Sequence, residues 1–107
     1  SWVVGIDLNG KSKAYDWIQL KELKVINDKI GDTPIVVAIA SDEQSFVAFK
    51  RNSEDEFTIH NDSLVSAQGK FDLAGRSIDG NNLQPVKSYQ EFWHSWKQFH
   101  PKTEIHR

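Results

Sequence analysis

The chain opens with Trp2-Val3-Val4-Gly5-Ile6-Asp7-Leu8-Asn9-Gly10-Lys11-Ser12-Lys13-Ala14-Tyr15. Trp2, Val4, Ile6 and Leu8 alternate with Val3, Gly5, Asp7 and Asn9, the period of a half-buried strand. Asn9-Gly10 supplies the two positive-φ residues that a tight hairpin turn demands. Lys11 to Tyr15 then returns as a second strand, with Lys11, Lys13 and Tyr15 on one face. The chain therefore opens on an antiparallel hairpin.

Downstream the pattern stays β-rich. Trp17 to Leu23 lacks alternation, and Asp16 is placed to cap a short helix there. Val25 to Ile30 reads as a weak strand, followed by a Gly31-Asp32-Thr33-Pro34 turn. Ile35 to Ala40 is apolar at every position, which predicts a strand covered on both faces. Ser41 to Gln44 breaks it, and Ser45 to Lys50 resumes as a strand. Phe57 and Ile59 alternate with Thr58 and His60. Short strands are expected within Leu64 to Leu73, Gly75 to Ile78, Leu83 to Val86 and Lys102 to His106.

Ser88 opens a different regime. Ser88 and Glu91 fit a capping box, and Phe92, Trp96 and Phe99 recur at helical spacing before Pro101 stops the run. The spacing predicts a helix over Tyr89–Phe99 that turns those three rings into the core. The expected fold is thus α+β: an antiparallel sheet or partly open barrel with one C-terminal amphipathic helix packed on it.

The 107 residues suit one domain spanning the whole chain. With no Met to initiate it, the chain is expected to be a segment of a longer product. A net charge of −2 and interleaved Lys, Asp and Glu argue against a nucleic-acid partner, which needs clustered cations. The absence of Cys excludes disulfides, thiolate metal sites and thiol nucleophiles. The longest apolar run is too short to cross a bilayer, so membrane insertion by this segment is not expected.

Few residues point to chemistry. His60, His94, His100 and His106 form no metal-ligand spacing, so no metal or other cofactor is expected. Asp28, Asp42, Asp62, Asp72 and Asp79 sit near strand ends, where turn chemistry accounts for most of them. No nucleophile elbow or phosphate-cradling glycine loop is present, so no catalytic residue is assigned. The aromatics are the more suggestive group. Trp17, in an irregular segment, makes a candidate platform for a carbohydrate or peptide ligand, with Asp16, Asp28 or His60 beside it. A hydrolase built on Asp42, His60 and Asp62 is a further alternative if two of them converge.

Several stretches, in order, resemble one family. Val3-Val4-Gly5-Ile6 through Lys13-Ala14-Tyr15 is similar to its opening hairpin. Val25-Ile26-Asn27-Asp28 through Gly31-Asp32-Thr33-Pro34-Ile35-Val36-Val37 is similar to its Val-Asn-Asp segment. Phe46-Val47-Ala48-Phe49-Lys50-Arg51 resembles its Ala-Phe-x-Arg strand, and Phe92-Trp93 with His100-Pro101-Lys102-Thr103 resembles its closing Trp and His-Pro-x-Thr. The family is the uncharacterised bacterial domain of unknown function number 3179. Its typical members carry Cys-Pro-x-Cys where this chain has Ala40-Ser41-Asp42-Glu43, and His-Glu where it has Leu23-Lys24. An Asn-Ser-Asp segment is shortened to Asn61-Asp62-Ser63-Leu64, and a Thr-Gly-Ser-x-Trp turn is reduced to Gln68-Gly69-Lys70-Phe71-Asp72. The resemblance implies a divergent member that has kept the scaffold and lost its reactive groups. It further implies an accessory or interaction module of a larger bacterial envelope protein, outside the cytoplasm, whose partners are neighbouring domains or another envelope protein.

Overall fold

The computed structural model describes residues 1–107 and stacks three small sheets under a helix. Strands β1 (Trp2–Leu8) and β2 (Lys11–Asp16) form the expected hairpin, with Asn9 and Gly10 both at positive φ. Asp16 caps the short helix α1 (Trp17–Leu23) by accepting from the Gln19 N–H at 3.0 Å. Strands β3 (Val25–Ile30), β4 (Thr33–Ile39) and β5 (Phe46–Lys50) make a second antiparallel sheet. Strands β6 (Thr58–His60), β7 (Ser63–Ser66) and β8 (Gly69–Phe71) make a third. Strand β9 (Tyr89–Phe92), helix α2 (Trp93–Phe99) and strand β10 (Glu104–Ile105) complete the chain. The first sheet then runs β10-β2-β1-β9, with β10 joining β2 in parallel.

The layers explain the apolar run. Ile35, Val37 and Ile39 of β4 face the first sheet and pack with Val4, Ile6 and Tyr15. Val36 and Ala38 face the third sheet and pack with Phe57, Leu64 and Phe71. The β4 strand lies between two apolar clusters, so both of its faces are apolar. On the far side of the first sheet, Val3, Ala14 and Trp96 form a third cluster under α2.

The C-terminal expectation is corrected. Tyr89–Phe92 is a strand, paired antiparallel to β1 with Trp2 opposite Phe92 and Gly5 opposite Tyr89. The helix begins only at Trp93, whose N–H donates to the Ser1 carbonyl at 2.8 Å, and Phe92 at its N-cap makes no side-chain bond. The free edge of β1 satisfies four residues' worth of backbone that a longer helix would have bonded to itself. Aromatic residues suit that pleated edge.

With only two turns, α2 sends a single ring fully inward. Trp96 is 1 % exposed, whereas Phe92 is 52 % and Phe99 77 % exposed. Phe92 instead stacks on Trp2 at 3.9 Å between centroids. The segments 75–78 and 83–86 also fall short of strands, contributing only the isolated bridges Phe71–Ser77 and Phe49–Pro85. No helix is long and apolar enough to cross a membrane.

Candidate functional site

Some of the positions at which the chain departs from the family pattern converge in space. Lys24, Ala40, Ser41, Asn61 and Asp62, with Ile39 and Ile59, line one cavity of about 240 Å³. Local geometry puts them there. Lys24 ends α1 at positive φ, and its carbonyl accepts from the Ile39 N–H at 3.0 Å, so the start of β3 is locked to the end of β4. Asn61 and Asp62 form the β6–β7 turn, both at positive φ. Asp62 then reaches across to Ser41. Its Oδ1 accepts the Ser41 N–H and its Oδ2 the Ser41 hydroxyl, each at 2.8 Å. Both carboxylate oxygens therefore tie the third sheet to the end of β4. No thiol or imidazole lines the cavity.

The residues singled out as ligand candidates do not share a pocket. Asp16 spends its carboxylate on the α1 cap and lines a small opening with Ser1, Val3, Trp93 and Ile105. Trp17 begins α1 and lies partly buried against the central cluster, edge-on to Phe46 at 5.8 Å. His60 is exposed at the end of β6. Asp28 lies under the hairpin, accepting the Tyr15 hydroxyl at 2.8 Å and pairing with Lys13 at 2.8 Å. Of the hydrolase group, only Asp62 lines a cavity. Asp42 is absorbed by its own turn: the N–H groups of Ser45 and Gln44, then the Ser45 hydroxyl, hold its carboxyl below the usual range.

The retained family motifs do structural work. Burial alone would raise the Asp28 carboxyl. The hydrogen bond from Lys13, the Lys29 backbone N–H and the Tyr15 hydroxyl outweigh it, so the group stays below its ordinary value. Tyr15 is raised, first by burial and then by the Asp28 charge it faces. Asn27 clips the Phe57 backbone at both ends, donating to its carbonyl at 2.9 Å and accepting its N–H at 2.8 Å. Arg51 donates to the carbonyls of Ile35, Asp28, Asn52 and Ser53. His100 stacks on Trp96 at 3.8 Å, and Thr103 accepts the Trp96 indole N–H at 2.9 Å.

One cleft escaped the sequence reading. Asp7, Lys87, Tyr89, Glu91, Trp96 and His100 line an opening of about 380 Å³ between α2 and β9. Placing Tyr89 and Glu91 on a helix separated them. The signal that unites them is the spacing of two between Tyr89 and Glu91, which puts alternate side chains on one face of a strand.

No curated protein and no solved structure matches this chain. The model of the family described as "Protein of unknown function (DUF3179)" matches residues 1–103. That span takes in the hairpin, the Asn27–Asp28 clip, the Arg51 anchor and the Trp96–Thr103 seat. The chain belongs to the DUF3179 family.

Proposed function

We propose that this chain is a non-catalytic interaction module of a larger bacterial envelope-associated protein. The observation that carries the reading is the cavity at Ser41. Residues of the family's Cys-Pro-x-Cys and His-Glu stretches meet around it, and the ones that line it here are Lys24, Ala40 and Ser41, none of them a thiol or an imidazole. Its one carboxylate, Asp62, is committed to the Ser41 hydroxyl and N–H, a clamp with no imidazole to relay a proton. Meanwhile the motif residues that survive, among them Asn27, Asp28, Arg51 and Thr103, hold sheets and helix together. A scaffold kept beside a vacated reactive position fits a binding or spacing role better than turnover. The envelope location rests on the resemblance to exported and tethered bacterial relatives.

Elemental analysis and absorption spectroscopy of the protein, purified without chelators, test the non-catalytic part. The expected result is metal far below one per chain and no chromophore; a stoichiometric metal or cofactor overturns it. Fractionation of cells expressing the tagged full-length product tests the location. Recovery with the envelope supports it, and recovery in the cytosol removes it.

A further inference from the structure

We propose that the cleft between α2 and β9 binds a small neutral or amino sugar. This goes beyond the interaction-module reading and uses none of the residues of the Ser41 cavity. Several polar side chains elsewhere are spent on the fold itself: Asp28 on Tyr15 and Lys13, Asp62 on Ser41, Asp72 on the 74–76 turn, Asn27 on Phe57. Around this cleft they are not. Asp7 approaches only His100, at 3.8 Å, beyond hydrogen-bond length.

The backbone explains the assembly. Val3, Gly5 and Asp7 share the face of β1 that looks toward α2, and the register sets Glu91 opposite Val3 and Tyr89 opposite Gly5. Gly5 has no side chain, and the Trp96 ring fills the place where a Cβ would sit. The ring is thereby seated flat on the sheet. His100 stacks over it to form one wall, while Tyr89 and Glu91 form the other. A volume near 380 Å³ lies at the low end of small-molecule pockets, roughly 300–1,000 Å³.

The chemistry selects the ligand class. Asp7 and Glu91 accept hydrogen bonds, Lys87 donates, and His100 and the Tyr89 hydroxyl do either. A molecule matching that mixture at every vertex is a polyol. Tyr89, half exposed, gives its apolar C–H face a ring to lie on. Two carboxylates against one lysine disfavour an anionic ligand and favour an amine.

Backbone-amide NMR of the chain, titrated with N-acetylglucosamine, glucosamine, glucuronate and inorganic phosphate, tests this. The expected result is saturable shifts at Gly5, Tyr89, Glu91 and His100 with the first two, at a Kd on the order of 1 mM, and none with the anions. Glu91→Gln should weaken glucosamine about tenfold while leaving N-acetylglucosamine less affected. Tyr89→Ala should weaken both, in a protein whose spectrum stays dispersed. No saturable shift with any sugar, shifts that map to another face, or equal binding of glucuronate would overturn the proposal. Sugar binding by a protein that also holds stoichiometric metal would sustain this inference and remove the non-catalytic reading.

Discussion

Replacing Gly5 by Ala should unseat α2. A Cβ at position 5 would lie 2.4 Å from Trp96 Cε3 and 2.5 Å from both Cδ2 and Cζ3. Those are fused ring atoms of a residue 1 % exposed, and cannot swing aside as a flexible chain end would. To regain ordinary contact the ring must retreat by about 1 Å, a gap that forfeits much of the dispersion energy of its face. Overpacking of this kind costs about 1–3 kcal/mol. Retreat also stretches the 2.9 Å bond from the Trp96 indole to Thr103, adding about 1 kcal/mol. The expected loss is about 2–4 kcal/mol, from a total stability of about 5–15 kcal/mol for a small domain. In urea that moves the midpoint down by roughly 1–2 M, read by far-UV circular dichroism and tryptophan fluorescence together. Because the cost runs through one ring, it should almost vanish in a Trp96→Leu background, giving a coupling energy of about 2–4 kcal/mol. A Gly5→Ala penalty under about 0.5 kcal/mol, or one undiminished without the Trp96 ring, refutes this account of how the helix is seated.

Thr103→Val should cost about 1–3 kcal/mol in chemical denaturation, because the buried Trp96 N–H loses its acceptor, and Thr103→Ser should restore most of it. Asn27→Ala removes both bonds to the Phe57 backbone and should cost about 2 kcal/mol, with amide exchange faster in β6 and β7 than in β1. The Asp28 carboxyl is lowered in the folded state, so on acidification the unfolded chain takes up its proton first. Its contribution is present above the ordinary carboxylate value of about 3.9 and drains as pH falls through the folded value, so Asp28→Asn should flatten acid unfolding relative to wild type. Tyr15 is shifted the other way: its contribution is present below the ordinary tyrosine value of about 10 and is lost as pH rises beyond it. Stability measured above that pH should fall less steeply in Tyr15→Phe than in wild type.

Elements whose bonding partner lies next to them in the chain were legible from local pattern. The β1–β2 alternation with Asn9-Gly10 between, and the Asp16 cap on α1, each follow from a few consecutive residues. The unbroken apolar run of β4 even announced a layer on each side, since both faces of a strand show in a period of two. The site was far less legible. Lys24, Ser41 and Asp62 meet only because three turns bring separate strand ends together, and nothing in the spacing of those residues states it. The ring positions misled for a related reason. Phe92, Trp96 and Phe99 keep helical spacing, but spacing cannot reveal that an unpaired edge of β1 waits some ninety residues upstream.

The β-rich α+β class, the opening hairpin and the doubly covered strand were readable from the chain alone, because they depend on local periodicity and short-range turn chemistry, and the family from motifs that resemble its pattern. Long-range packing alone set which residues of the last quarter are strand, that Trp96 alone of its three expected rings goes inside, and which polar groups are left free around a cleft. Backbone hydrogen bonds must be satisfied wherever a partner is offered, and for Tyr89–Phe92 that partner lay at the other end of the chain.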